Sequence, residues 1–170
     1  KKKLNNIVFI GSLLKTKNLD DFISLASIYP LLNFHIIGEG PIKEYLIKKS
    51  SKNVTFHGKL NHFELSRKLA NMDLHFLPSR SEGFPKVVLE TASSSIPSIL
   101  YNDYGADSWI NHSENGFVVS NFEEVKNTID NLIKNPEILI RNSENVLELA
   151  EKFDWKIIIK SWEKVIDNLK

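Results

Sequence analysis

Short apolar runs alternate along the chain with longer segments whose apolar residues recur at helical spacing. Ile7 to Ile10, Phe34 to Ile37, Val54 to Phe56, Leu74 to Leu77, Ser98 to Leu100 and Phe117 to Val119 are apolar on both faces and predict buried strands. Between them, Asn18 to Tyr29 places Leu19, Phe22, Ile23 and Ala26 on one helical face and ends at Pro30. Ile42 to Lys49 predicts a short helix. Asn61 with Glu64 is a capping-box signature for a helix over 62–70, and Asn121 with Glu124 repeats it for one running to about Lys134. Gly105 to Asn111 predicts a single helical turn. Pro136 opens a helix to about Lys152, and Asp154 caps a last one to about Leu169.

Strands apolar on both faces belong in a parallel sheet covered by helices. The expected fold is therefore α/β, a three-layer α/β/α domain with about six parallel strands, filling residues 1–170. In such sheets ligands bind at the carboxyl ends of the strands, where the strand order reverses. The loops that carry Gly11, Gly38 to Pro41, His57-Gly58 and Gly83 each follow a strand, so all are expected at that edge.

The most informative loop is Arg80 to Glu90, which joins an apolar strand to a helical face made by Val87, Val88, Leu89 and Ala92. Pro85 is expected at the first helical position, where its missing N–H costs nothing. The first N–H groups of a helix lack partners and form an anion site. Glu82 in the loop and Glu90 on the helix would flank a ligand lying over that start. Phosphates suit the bare N–H groups, and carboxylates accept well from sugar hydroxyls. The pattern suits a nucleoside diphosphate sugar.

Bulk properties narrow the field. Hydrophobic residues make up 42% and charged residues 25% of the 170, ordinary for a soluble domain with a real core. A net charge of +1 implies no broad attraction to nucleic acid or membrane. The chain has no Cys, which excludes disulfides and thiolate metal sites, and its five His are scattered without ligand spacing. No apolar run is long enough to span a membrane and nothing resembles a signal peptide, so a cytoplasmic protein is expected.

Glu82 and Glu90, with Gly-Phe-Pro-Lys-Val-Val-Leu between them, resemble the E-x7-E motif of retaining GT-B glycosyltransferases of family 4. In that family the second Glu binds the ribose, and the first Glu and the backbone after it contact the donor sugar. Gly11 to Asn18 resembles the segment that normally reads Gly-Arg-Leu and then Glu-Lys-Gly. Lys17 matches the diphosphate-gripping Lys, while Ser12 stands at the Arg and Asn18 at the Gly. Ser cannot replace the bidentate guanidinium, so Lys15 is the candidate for compensation. Gly38-Glu39-Gly40-Pro41 resembles the family's Gly-x-Gly-Pro turn, and Phe56 to Leu60 the loop that meets the nucleobase, with His57 read as a packed loop residue. Ser95 stands where Gly is common, in a segment that otherwise reads Ala-x-Gly-x-Pro. Tyr104 to Ser108 stands where many relatives have Gly-Gly and a later Glu. Phe153-Asp154-Trp155 resembles the closing Phe-Ser-Trp, with Trp155 and Trp162 read as packing residues.

The resemblance implies the Rossmann-like, donor-binding C-terminal half of a GT-B fold, with the acceptor-binding N-terminal half absent from this chain. It implies a hexosyltransferase acting in polysaccharide synthesis. Its catalytic residues would be Glu82 and Lys17. Its donor-binding residues would be Gly11, Ser12, Lys15, Lys17, Lys59, Leu60, Glu82, Gly83, Phe84, Pro85, Lys86, Val87 and Glu90. No metal or cofactor is implied beyond the nucleotide sugar itself, and no nucleic acid. Any membrane contact, peripheral and at the inner face, would run through the missing half. Two other readings stay open: a non-catalytic nucleotide-binding module, and a GT-B sugar-nucleotide epimerase.

Overall fold

The computed structural model describes residues 3–167; Leu169, the expected end of the last helix, lies outside the described residues. The strands are β1 (Asn6–Ile10), β2 (Asn33–Ile37), β3 (Val54–Gly58), β4 (Leu74–Leu77), β5 (Ser98–Tyr101) and β6 (Phe117–Val119). The helices are α1 (Leu19–Ile28), α2 (Lys43–Lys49), α3 (His62–Leu69), α4 (Lys86–Ala92), α5 (Phe122–Lys134), α6 (Pro136–Lys152) and α7 (Trp155–Asp167). Short 3-10 turns stand at Lys15–Lys17, Asn102–Tyr104 and Ala106–Ser108. The six strands form one sheet in the order β3-β2-β1-β4-β5-β6, every neighbouring pair parallel.

The order runs outward in both directions from the β1–β4 pair, where Ile7 faces Leu74 and Val8 faces His75. That pair is the switch point. The two connections leaving it diverge to opposite faces and open a crevice at the carboxyl edge. The Gly11 loop and the Glu82 loop leave from these two strands.

Successive residues of β1 point to opposite faces, as the pleat requires. Ile7 and Phe9 enter the larger core layer with Phe22, Phe34, Phe76 and Tyr101, all essentially without solvent access. Phe22 packs edge-on against Phe34 with ring centroids 5.4 Å apart and lies parallel to Phe76 at 6.2 Å. Val8 and Ile10 enter the smaller layer with Ile37, Leu69, Met72 and Ile96.

Four local expectations need correction. Pro85 is the N-cap, with ψ 98°, and the helix begins at Lys86. β3 extends to Gly58, so His57 is a strand residue; its ring stacks on His35, with Nε2 3.0 Å from His35 Nδ1. Asn61 and Glu64 complete their capping box, but at α5 only Asn121 caps Glu124 N–H, while Glu124 Oε2 accepts from Ser120 N–H. Trp155 and Trp162 are 71% and 63% exposed and so do not pack within this domain. The amphipathic α7 leaves most of its apolar side exposed to solvent.

The two other expected glycine positions hold residues with positive φ. Asn18 has φ 51° and Ser95 φ 58°. Asn tolerates this region better than other side chains, whereas Ser bears the crowding of Cβ against the next carbonyl.

His75 is fully buried between β5 and α4, with Nδ1 2.9 Å from Ser98 Oγ. Burial depresses its pKa to about 3, whereas the unfolded chain titrates near 6.5. As pH falls below about 6.5 the unfolded chain gains a proton that the folded one refuses, so stability is lost. From pH 6 to pH 5 this one group should cost about 1 kcal/mol. Urea denaturation at those two pH values measures the loss, and His75→Gln should flatten it. An equal slope in the variant would assign the acid sensitivity elsewhere.

Candidate functional site

The loop after β1 passes directly over the loop after β2. Gly11 N–H donates to Ile37 O and Leu13 N–H to Glu39 O, both at 3.0 Å. A Cβ on Gly38 would lie 1.9 Å from Gly11 O, and one on Gly40 2.4 Å from Leu13 O. These two glycines therefore let backbone meet backbone, and the Gly11 loop is held low at the mouth of the crevice. The sequence marked Gly38 and Gly40 as a turn; their role in seating the neighbouring loop was not readable without the strand order.

Across the switch point stands the Glu82 loop. Lys17 Nζ and Glu82 Oε1 are 2.5 Å apart, with side chains only 23% and 13% exposed. The pair joins loops 65 residues apart in sequence. A cleft of about 380 Å3 opens between them, lined by Ile10, Gly11, Ser12, Lys17, Leu77, Glu82, Phe84, Pro85, Lys86, Val87 and Glu90. A second hollow of about 470 Å3 shares Ile10, Gly11 and Ser12 with it and continues to Gly38, Glu39, Lys59, Leu60 and Leu65. The two form one elongated trough with Gly11-Ser12 at its waist.

Eleven of the expected site residues thus line a single trough: Gly11, Ser12, Lys17, Lys59, Leu60, Glu82, Phe84, Pro85, Lys86, Val87 and Glu90. Two do not. Lys15 lines a separate depression with Leu19, Asp20, Pro41, Ile42 and Tyr45, because the 3-10 turn points it away from Lys17. It therefore does not make up for the charge missing at Ser12. Gly83 is exposed and outside the lining, and a Cβ there would meet nothing within 4 Å. The cation nearer the expected role is Lys86, which lines the same cleft as Lys17.

The N–H groups of Phe84, Lys86 and Val87 make no hydrogen bond among the described residues, and the first bond of α4 is Val88 N–H to Pro85 O at 2.9 Å. They are oriented donors at the positive end of the helix. Glu90 makes no side-chain hydrogen bond or ion pair among the described residues. Phe84 is wedged between two aromatic rings, Trp109 at 5.0 Å and Phe153 at 4.9 Å between centroids. Trp109 and Phe153 are supports that sequence reasoning missed. The only available signal was the exposed aromatic in Gly-Phe-Pro. The trough offers amide donors and the lysines Lys17, Lys59 and Lys86 for an anion, and the carboxylates Glu39, Glu82 and Glu90 for hydroxyl groups.

A family model described as glycosyl transferases group 1 matches residues 1–150. A relative named as an uncharacterized glycosyltransferase of Haemophilus influenzae is 30% identical over 177 aligned positions, covering 96% of this chain and 50% of that protein. Among solved structures, Anabaena Alr3699/HepE in complex with UDP and glucose superposes with a TM-score of 0.85 at 19% identity, covering 98% of this chain and 49% of that one. The C-terminal domain of the group 1 glycosyl transferase LpcC from Francisella tularensis gives 0.77 at 23% identity, covering 88% of this chain and 85% of that one. The chain spans about half the length of the relatives it matches. The sheet order, the paired loops at its switch point and the match over residues 1–150 converge: the chain belongs to the glycosyl transferases group 1 family.

Proposed function

We propose that this domain binds a nucleoside diphosphate sugar for a retaining glycosyltransferase, whose other half brings a glycan or lipid-linked acceptor. The carrying observation is the single trough that gathers Lys17, Glu82, Glu90 and the free N–H groups of Phe84, Lys86 and Val87. HepE, of the same fold, is described with UDP and glucose bound.

The trough is polar in the order such a donor needs. Lys59 and Leu60 border the end that takes the base. Glu90 accepts from the ribose hydroxyls. The donor crosses the Gly11-Ser12 waist between base and ribose, and its diphosphate lies between Lys17 and the start of α4. Glu82 and the free amides take the sugar. Lys17 carries three donors, so it can serve the phosphate while keeping Glu82. Placed beside the leaving diphosphate, it stabilises the charge that grows as the glycosidic bond breaks. Glu82 is the carboxylate set against the reacting sugar. Because Lys17 and Lys86 balance the phosphate charge, no divalent ion is needed in this scheme. A hexose is the expected sugar, polysaccharide or glycolipid synthesis the expected use, and the inner face of the membrane the expected setting. Among the described residues no helix is long and apolar enough to cross a membrane.

Titration of UDP and GDP in EDTA tests the reading. Binding to at least one of them is expected, with equal affinity when Mg2+ is restored. No binding of any nucleoside diphosphate by folded protein would remove it.

A further inference from the structure

Tyr101 closes β5 with no solvent access, yet its hydroxyl reaches a carboxylate: Oη donates to Asp21 Oδ2 over 2.6 Å. The same oxygen accepts from Asn18 Nδ2 at 2.7 Å. Asn18 is the left-handed joint between the Lys15–Lys17 turn and α1. An Asn before a helix commonly caps it through its oxygen. Here it makes no such bond, and its NH2 group holds Asp21 instead. Lys17 therefore projects from a turn whose exit residue, Asn18, donates one hydrogen bond to the carboxylate that Tyr101 also holds. Burial and the Asp21 charge raise the Tyr101 pKa well above the usual tyrosine range, which keeps the hydroxyl a donor.

The other side of Tyr101 reaches the second loop. The Arg80 guanidinium lies over its ring, 4.0 Å from the centroid, and pairs with Asp103 at 3.0 and 3.2 Å. Arg80 stands two residues before Glu82. One buried residue thus meets the start of α1 through Asp21 and the segment before Glu82 through Arg80.

We propose that Tyr101, Asp21 and Asn18 are positioning residues that fix Lys17 where the donor diphosphate is received. The inference rests on the donor-binding reading above. Lysine is a point charge on a flexible stem, and it loses freedom when it grips a ligand. A turn fixed in advance reduces what binding must still order. The plainer alternative is that the Tyr101–Asp21 bond only satisfies a buried hydroxyl. The two differ in what depends on Lys17.

The experiment compares Tyr101→Phe, which keeps the ring under Arg80, with Asn18→Gly, which keeps the left-handed turn but removes the amide. Calorimetric titration of UDP and GDP is run on each, on Lys17→Met, and on both doubles. Each single variant should weaken the diphosphate about five- to tenfold, less than the full loss of a charge-assisted hydrogen bond because the network acts on the ligand only through Lys17. In the Lys17→Met background the same changes should matter less than about twofold, because coupled residues are not additive. Equal losses in both backgrounds, or none in either single variant, would overturn the proposal. Hydrogen exchange on the ligand-free protein supplies an independent arm. Amides of Leu13 to Asn18 should exchange faster in both variants while those of β1 hold; unchanged exchange in that segment overturns the proposal as well. Should wild type bind no nucleoside diphosphate, the donor-binding reading falls, and the exchange result still decides whether the network positions Lys17. Asn18 is partly exposed, so its variant serves if Tyr101→Phe does not fold.

Discussion

Labelled sugar is expected to pass from donor to acceptor about 10^5-fold or more slowly on this chain alone than on a protein that also carries the proposed acceptor-binding half. The expectation follows from what the trough contains. In the proposed reading Lys17, Glu82, Glu90 and the free amides, which line one cleft, all address the donor. None of the described features holds an acceptor against the reacting carbon. Near-attack geometry is worth roughly 7–11 kcal/mol of barrier, and that share is forfeited when the acceptor diffuses in from water. The trough also opens to solvent, and electrostatic stabilisation weakens in a wet site. Slow hydrolysis of the donor is the expected residual activity. The helix α7 adds a second reason. Trp155, Trp162, Val165 and Ile166 are each at least half exposed on it, a face larger than a lone surface residue would explain. Phe153, at the foot of that helix, touches Phe84 in the donor loop. A partner domain seated on α7 would thus also steady the loop that faces the sugar. Assaying both proteins with labelled donor and a panel of acceptors measures the difference. Comparable rates would mean that this half is self-sufficient and that the division of labour proposed here is wrong.

Much of the fold was legible because its strands are short and apolar on both faces. Ile7 to Ile10 holds no polar residue and Leu74 to Leu77 only His75, the pattern of a sheet covered on two sides. Strand order was not legible. Nothing in either run says that β1 lies beside β4, and this pairing is what makes a site of two loops far apart in sequence. Glu82 and Glu90 line one cleft because both stand on a single short loop and helix. Lys15 failed as a candidate because a charge count along a loop does not give direction. Within the three residues of the Lys15–Lys17 turn, the first faces α2 and the last faces Glu82. Tyr101 and Trp109 were invisible for the same reason: each acts through a neighbour distant in sequence.

Replacing Glu90 with Gln separates recognition from stability. Glu90 lies on α4, part-exposed at the trough wall, and its carboxylate has no partner among the described residues. Folding therefore gains nothing from its charge, and Gln is an equally good helix former. The variant should unfold within about 0.5 kcal/mol of wild type, as partner-free surface positions do. Ligand binding should behave otherwise. A carboxylate accepting from the two ribose hydroxyls makes charge-assisted bonds that an amide oxygen replaces poorly. The loss should be about 1–3 kcal/mol of nucleoside diphosphate affinity, or roughly 5- to 150-fold in Kd. The contrast with Glu82 sharpens the test. Glu82 is already satisfied by Lys17, so Glu82→Gln frees that lysine for phosphate and should spare or even tighten binding of the bare diphosphate. Its cost should fall on the nucleotide sugar instead. Titrating both variants with ribose and 2′,3′-dideoxyribose nucleoside diphosphates distinguishes the two carboxylates. If Glu90→Gln loses as much for the dideoxy ligand as for the ribose one, Glu90 acts on some other part of the donor. The ribose would then have to be held elsewhere along the trough.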